Sequence, residues 1–233
     1  MSIQDEIELL LQTEQMDFVR FIPIDDLTQN KGYHSAVWFG KALSPEYMKA
    51  VAANPNYVQE MKQAGTRKQD EFYLTELATD ALADKLAKYI RQRGFDACSQ
   101  SEKNVDANGD YNAQYRSSTL PHKTIALRSG LGWIGKNNLL VTPEYGCAIS
   151  MCTVLTNAPL QTERYDVLAS QCGDCTICRD ICSADALKGQ TWKFGMKRSK
   201  LVDVFFCNPC GQCMAQCPYT KRYARQQLAL LTK

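Results

Sequence analysis

Eight of the eleven cysteines in this 233-residue chain fall between Cys172 and Cys217. They form two runs of one pattern, C-x2-C-x2-C-x3-C: Cys172, Cys175, Cys178 and Cys182, then Cys207, Cys210, Cys213 and Cys217. Thiolates so closely spaced are built to hold soft metal. A pair of zinc sites would ordinarily use two C-x2-C pairs, leaving the third cysteine and the x3 offset without purpose. Disulfides fit less well still. The opening Met1-Ser2-Ile3-Gln4-Asp5-Glu6 is acidic and has no basic start or apolar stretch of an export signal, so a reducing, cytoplasmic setting is expected.

The repeated spacing is that of bacterial two-cluster ferredoxins, in which three thiolates hold one [4Fe–4S] cube and the fourth crosses to the other. Carried over, that rule gives Cys172, Cys175, Cys178 and Cys217 to one cluster, and Cys207, Cys210, Cys213 and Cys182 to the second. Ser183 stands where the first run commonly has proline, a turn position and not a ligand. Cys98, Cys147 and Cys152 lie outside the pattern and read as small buried hydrophobes. The basic stretch Lys221-Arg222-Tyr223-Ala224-Arg225 reads as a solvated helix end.

A second place could do chemistry. Gly130-Leu-Gly-Trp-Ile-Gly-Lys136 spells both G-x-G-x-x-G and G-x-x-x-x-G-K. A dinucleotide site needs a strand before the glycines and a helix after, and the order here looks reversed. A phosphate loop needs Ser or Thr after the lysine, where this chain has Asn137. A tight turn with close backbone approach fits better.

The elements that must position these groups are legible in part. Ser2 caps a helix carrying Ile3, Ile7, Leu10 and Leu11 on one face. Phe18–Ile24 and His34–Lys41 read as strands, and Ser44-Pro45-Glu46 starts a helix. Tyr73–Arg93 reads as a long helix with Leu74, Leu77, Ala81, Leu82, Leu86, Tyr89 and Ile90 buried, ended by Gly94. Asn104–Asn112 reads as a surface loop and Pro121–Ser129 as helical. Leu139–Thr142 and Ala148–Leu155 read as strands joined around Pro143–Gly146. The order predicts an α+β or α/β domain over residues 1–162, followed by a cysteine-rich module over 163–233 folded around its metal. No apolar run approaches the ~20 residues of a membrane span. The net charge of +2 calls for neither nucleic acid nor an anionic membrane.

The stretch Leu120–Leu140, with RSGLGWIGKN at its centre, Thr153–Leu160 and the two cysteine runs together resemble the epoxyqueuosine reductase family, itself related to the reductive dehalogenases. The resemblance implies a nitroreductase-like α/β domain that binds cobalamin, with a ferredoxin-like two-cluster module feeding it electrons. It implies a corrinoid held against the turn, with Gly130, Gly132, Trp133, Gly135, Lys136 and Asn137 as cofactor-binding residues. The family's aspartate general acid has no counterpart in Tyr115–His122, so Tyr115 or His122 would have to supply the proton, a contribution of typically ~10²–10⁴-fold. No helical-repeat domain follows the second run, so tRNA is an unexpected partner.

Two functions follow. One is a cobalamin-dependent reductase of a small molecule, served by a donor such as a ferredoxin or flavodoxin. The other is an electron carrier without chemistry of its own, reducing a partner protein or its corrinoid.

Overall fold

A computed structural model describes residues 1–231, a mixed α+β fold made of two compact units that alternate along the sequence. The first holds residues 1–41, 75–130 and 150–166; the second holds 42–74, 131–149 and, of the described residues, 167–231. This is not the expected division at residue 162. The cysteine-rich stretch has too little apolar sequence to fold on itself, and it takes Tyr47, Met48 and Val51 from the helix Pro45–Ala53 into its core with Met214, Ala215, Tyr223 and Ala224.

The first unit is built on a four-stranded sheet. Its order runs Phe18–Pro23, Ser35–Ala42, Ile149–Thr156, Ala97–Ser99, and the outer pairs at both edges are antiparallel. β-Branched and aromatic residues fill the two central strands, which are buried almost throughout. Against the sheet pack the capped helix Ile3–Thr13, through Ile7 and Leu11, and the long helix Glu71–Gln92. The long helix buries Thr79, Leu82, Ala83, Leu86, Ala87 and Ile90, a stripe at helical spacing. Leu74, Leu77 and Ala81, expected in that stripe, are exposed, because the buried face is turned toward Thr79 and Ala83 instead.

Residues 104–112 are not the open loop their polarity suggests. A short helix, Glu102–Ala107, forms because Asp80 and Asp84 of the long helix hold its start. Asp80 accepts from the Glu102 backbone N–H at 2.8 Å, and Asp84 accepts from Ser101 Oγ and Asn104 Nδ2, both at 2.7 Å.

In the second unit, Trp133–Ile134 pairs antiparallel with Leu140–Val141, so the glycine-rich motif opens a β-hairpin and not a nucleotide-binding strand–turn–helix. The basic stretch near residue 221 lies in the first turns of a helix, its cations solvated as expected. Its helix, Pro218–Leu231, buries Tyr223 and Ala224, with Tyr223 Oη donating to the Leu43 carbonyl at 2.9 Å, while Lys221, Arg222 and Arg225 stay exposed. Among the described residues no helix is long and apolar enough to cross a membrane.

Candidate functional site

The cysteine runs are mostly irregular backbone, with one helical turn each, Ile177–Asp180 and Gln212–Ala215. Such segments need side chains from elsewhere to fix them. Gln212 Nε2 donates to the Val51 and Asn54 carbonyls at 2.5 and 3.0 Å, and Gln216 Nε2 to that of Ala52 at 2.7 Å. These bonds satisfy the C-terminal carbonyls of the helix Pro45–Ala53 and seat the second run against it.

The thiols sort across the runs. Cys172, Cys175 and Cys178 of the first line one cavity of about 140 Å³ with Cys217 of the second, beside Lys136, Asn137 and Tyr219. Cys182 of the first keeps company with the second: it packs with Cys213 against Ala186, Leu187 and Val202 and acts on Cys207, while Cys210, Cys207, Cys178 and Cys182 all act on Cys213. Among the described residues no three His, Cys, Asp or Glu side chains converge on a point that would hold a single ion. The four thiols line a cavity wall instead.

Burial and neighbouring sulfur make Cys178 and Cys213 hard to ionise. Desolvation, then Cys172, Cys175 and Cys217, push Cys178 up to about 11; desolvation, then Cys210 and Cys207, push Cys213 up to about 12. Four thiolates in such a space repel one another, and a cationic centre is what makes the donor set chemically sensible. Cys217 departs the other way, pulled down to about 6 mainly by a hydrogen bond from Cys147, with backbone N–H groups of Thr220 and Tyr219 adding to it.

Lys136 and Asn137 attach the hairpin to these thiols. Lys136 is buried, and its ammonium donates to the carbonyls of Gly173 and Cys175 at 2.7 and 3.0 Å, pinning the first run. Asn137 Nδ2 donates to Cys147 Sγ at 3.2 Å and to the Cys213 carbonyl at 3.1 Å. Cys147 is more than the core filler its sequence context suggests; its place beside Cys217 has no signal in the spacing of the runs.

The expected corrinoid bed at the turn is filled by the protein itself. A Cβ on Gly132 would lie 2.2 Å from the Val141 carbonyl oxygen, and one on Gly135 2.5 Å from Asn137 Oδ1. Gly130, at φ +69°, faces the Tyr165 ring, and Trp133 is fully buried against Tyr219. Gly132 and Gly135 meet a need of internal packing, while Lys136 and Asn137 line the cavity of the thiols.

The two candidate acids lie in the first unit. Tyr115 sits at the tip of the small hairpin Tyr111–Asn112 and Ser117–Ser118 and is 60% exposed. His122 starts the helix His122–Ala126, and its Nδ1 lies 2.9 Å from Thr153 Oγ1. Burial lowers its pKa to about 4, with nearby Asp80 opposing, so the ring is neutral near pH 7. Asp80 also accepts from the buried Cys152 thiol at 3.3 Å. A carboxylate sought beside His122 in the chain is not there; Asp80, on another element well before it in sequence, lies near enough to act on it electrostatically.

No family model matches the chain. An epoxyqueuosine reductase of Lactococcus garvieae is 30% identical over 149 residues, covering 57% of this chain and 41% of that protein. This chain is a homologue of the epoxyqueuosine reductases over part of its length. It spans less than half of that relative. Among solved structures, a reductive dehalogenase studied for B12-dependent dehalogenation superposes with a TM-score of 0.66 at 19% identity, over 97% of this chain and 34% of that one. An epoxyqueuosine reductase with a modified tRNA stem loop gives 0.54 at 15%, over 94% and 65%. The homologue thus has the mixed α+β fold of both groups of enzymes.

Proposed function

We propose that this homologue is an iron–sulfur oxidoreductase carrying two [4Fe–4S] clusters, one on Cys172, Cys175, Cys178 and Cys217 and one on Cys182, Cys207, Cys210 and Cys213. The observation that carries the reading is the exchange of the fourth cysteine: Cys217 lines the cavity of the first run, and Cys182 packs with Cys213 of the second against Ala186, Leu187 and Val202. That exchange is what the ferredoxin rule requires and what two separate zinc knuckles would not produce. When bound, the clusters supply electrons one at a time. The chain's own residues hold the thiols in place, exclude water from Cys147 and Asn137, and put the Lys136 ammonium beside the first set.

A second step, delivery of those electrons to a cobalamin that reduces a small molecule, is supported by the fold likeness to a B12-dependent dehalogenase over nearly the whole chain. A carrier alone would have no use for the sheet unit. The filled turn at Gly130–Asn137 argues against the bed first expected for that cofactor, so no step is derived through it. Of the two candidate acids, Tyr115 is exposed, while His122, hydrogen-bonded at Thr153, is neutral near pH 7 and would have to act through a neutral ring N–H.

The test is anaerobic reconstitution with iron and sulfide, followed by metal analysis and EPR of the reduced protein. About eight irons per chain, with the spectrum of two interacting clusters, support the reading; tightly bound zinc with no iron refutes it. Addition of cob(II)alamin then separates the two functions. A shifted, protein-bound cobalt spectrum supports the reductase, and an unchanged one leaves the electron carrier.

A further inference from the structure

The segment joining the two cysteine runs is closed at its base by a single bridge between Leu187 and Val202, with Lys188 N donating to the Leu201 carbonyl and Asp203 N to that of Ala186, both at 2.8 Å. Ala186, Leu187 and Val202 are buried there against Cys178, Cys182 and Cys213. What leaves this base is strongly one-sided in charge. From Ala186 to Val202 the chain carries Lys188, Lys193, Lys197, Arg198 and Lys200 and no carboxylate. All four lysines are exposed, and so is Phe194, at 77%.

Immediately after the base, Asp203 Oδ1 accepts from the backbone N–H groups of Phe205 and Phe206, forming a turn that presents both rings to solvent, 59% and 69% exposed. The next residue is Cys207, itself exposed. Phe194 meets the Trp192 ring edge-on, yet Phe194, Phe205 and Phe206 all stay mostly exposed in a stretch rich in cations that ends at a surface thiol of the second set. Apolar contact with a cationic surround is the composition of a docking patch for an acidic partner.

Resting on the two-cluster reading, we propose that the Lys188–Lys200 segment and the Phe205-Phe206 turn form the entry surface for an acidic one-electron carrier protein, which reduces the cluster held by Cys182, Cys207, Cys210 and Cys213. The cations steer the carrier's carboxylates and the rings supply the short-range contact. The carrier loses one electron, the cluster passes from the 2+ to the 1+ state, and no bond or proton need move. Cations with aromatic rings can also stack single-stranded RNA. The position of the patch, against the second thiol set and ending at Cys207, favours the electron carrier.

The experiment uses the reconstituted full chain and a reduced, strongly acidic [2Fe–2S] ferredoxin, with cluster reduction followed by stopped flow at several salt concentrations. For the unaltered protein the second-order rate should fall steeply as salt rises. The triple variant Lys193→Glu, Lys197→Glu, Lys200→Glu should be at least tenfold slower at low salt and lose the salt dependence. Its iron content and EPR amplitude should stay unchanged, and the loss of rate should exceed what the measured fall in the nearby cluster's potential accounts for. Phe194→Ala with Phe205→Ala should slow the reaction at all salt concentrations. A charge-reversed protein with full clusters that reacts at the original rate overturns the proposal. So does one that keeps that rate and loses affinity for an RNA stem loop, which would assign the patch to RNA. Absence of iron after reconstitution is a separate result, and it strikes the two-cluster reading itself.

Discussion

Asn137 joins the two thiol groups through a single nitrogen: its Nδ2 donates to Cys147 Sγ at 3.2 Å and to the carbonyl of Cys213 at 3.1 Å, while Asn137 itself lines the cavity of Cys172, Cys175, Cys178 and Cys217. Its Oδ1 accepts from the backbone of Leu139, so the amide cannot turn over without losing all three partners. The residue is buried, so solvent does not readily replace what a substitution removes.

Asn137→Ala should therefore destabilise the protein by about 1–3 kcal/mol, the cost of stranding a buried carbonyl and a buried thiol. Asn137→Asp should be worse than Ala, since it removes the donor and adds charge next to Cys147. Urea unfolding of the iron-loaded protein, read by circular dichroism, checks both. An Ala variant as stable as the parent would show that the bridge contributes nothing.

Cys147 is a test of which thiols bind iron. It is buried, its N–H donates to Thr220 Oγ1 at 2.9 Å, and it hydrogen-bonds Cys217. Cys147→Ala should keep the full iron content, whereas Cys217→Ser should lose the signal of one cluster. Removing a donor to a ligand sulfur lowers a cluster's potential. One hydrogen bond of ~1 kcal/mol corresponds to ~40 mV for a one-electron couple. An EPR-monitored redox titration of Cys147→Ala should show one cluster shifted down by that order and the other unmoved.

The eight ligand candidates are legible in the sequence because the spacing of a metal-binding loop is local and needs no knowledge of the fold. Lys136 and Asn137 stand out through an unusual glycine-rich motif, but the motif does not name their neighbours, the thiol loops. It does not tell which surface approaches a close-packed backbone, and here it is Val141 and the thiol loops. The long helix is legible by period, but its buried face is not the expected one at Leu74 and Leu77, where the apolar pattern runs on without a partner layer to cover it. Asp80 is invisible because its meeting with His122 depends on how the helix Glu71–Gln92 lies under the strand Ile149–Thr156. The division into units differs for a similar reason: the packing of Val51 with Met214 is a tertiary fact.

His122 gives a pH dependence with a definite sign. Its folded pKa of about 4 lies below the ordinary 6.5 because burial disfavours the imidazolium. Between those values the unfolded chain binds a proton that the folded chain refuses, so stability falls as pH drops through 6.5 and levels off below about 4. The full effect is of the order of 3 kcal/mol. His122→Gln should flatten that part of the stability–pH curve, measured by thermal melts from about pH 4 to 7.5. An unchanged slope would mean that another group carries it.

Gly146 offers the sharpest structural test of how the helix Pro218–Leu231 is seated. Its φ is +60°, and a Cβ there would lie 2.2 Å from the backbone nitrogen of Thr220 and 2.6 Å from its Oγ1. Thr220 is fully buried, and its Oγ1 is the acceptor for Cys147 N–H. Gly146→Ala must therefore push the helix start, which follows Cys217 directly, away from the hairpin. Left-handed strain of ~1–2 kcal/mol and overpacking of ~1–3 kcal/mol act together at this site. The variant should melt well below the parent and, because Cys217 moves with the helix, should lose the cluster on the first run before the one on the second. Iron counts and EPR after partial thermal treatment would show that order. Simultaneous loss of both clusters would mean that the two thiol groups rise and fall as one.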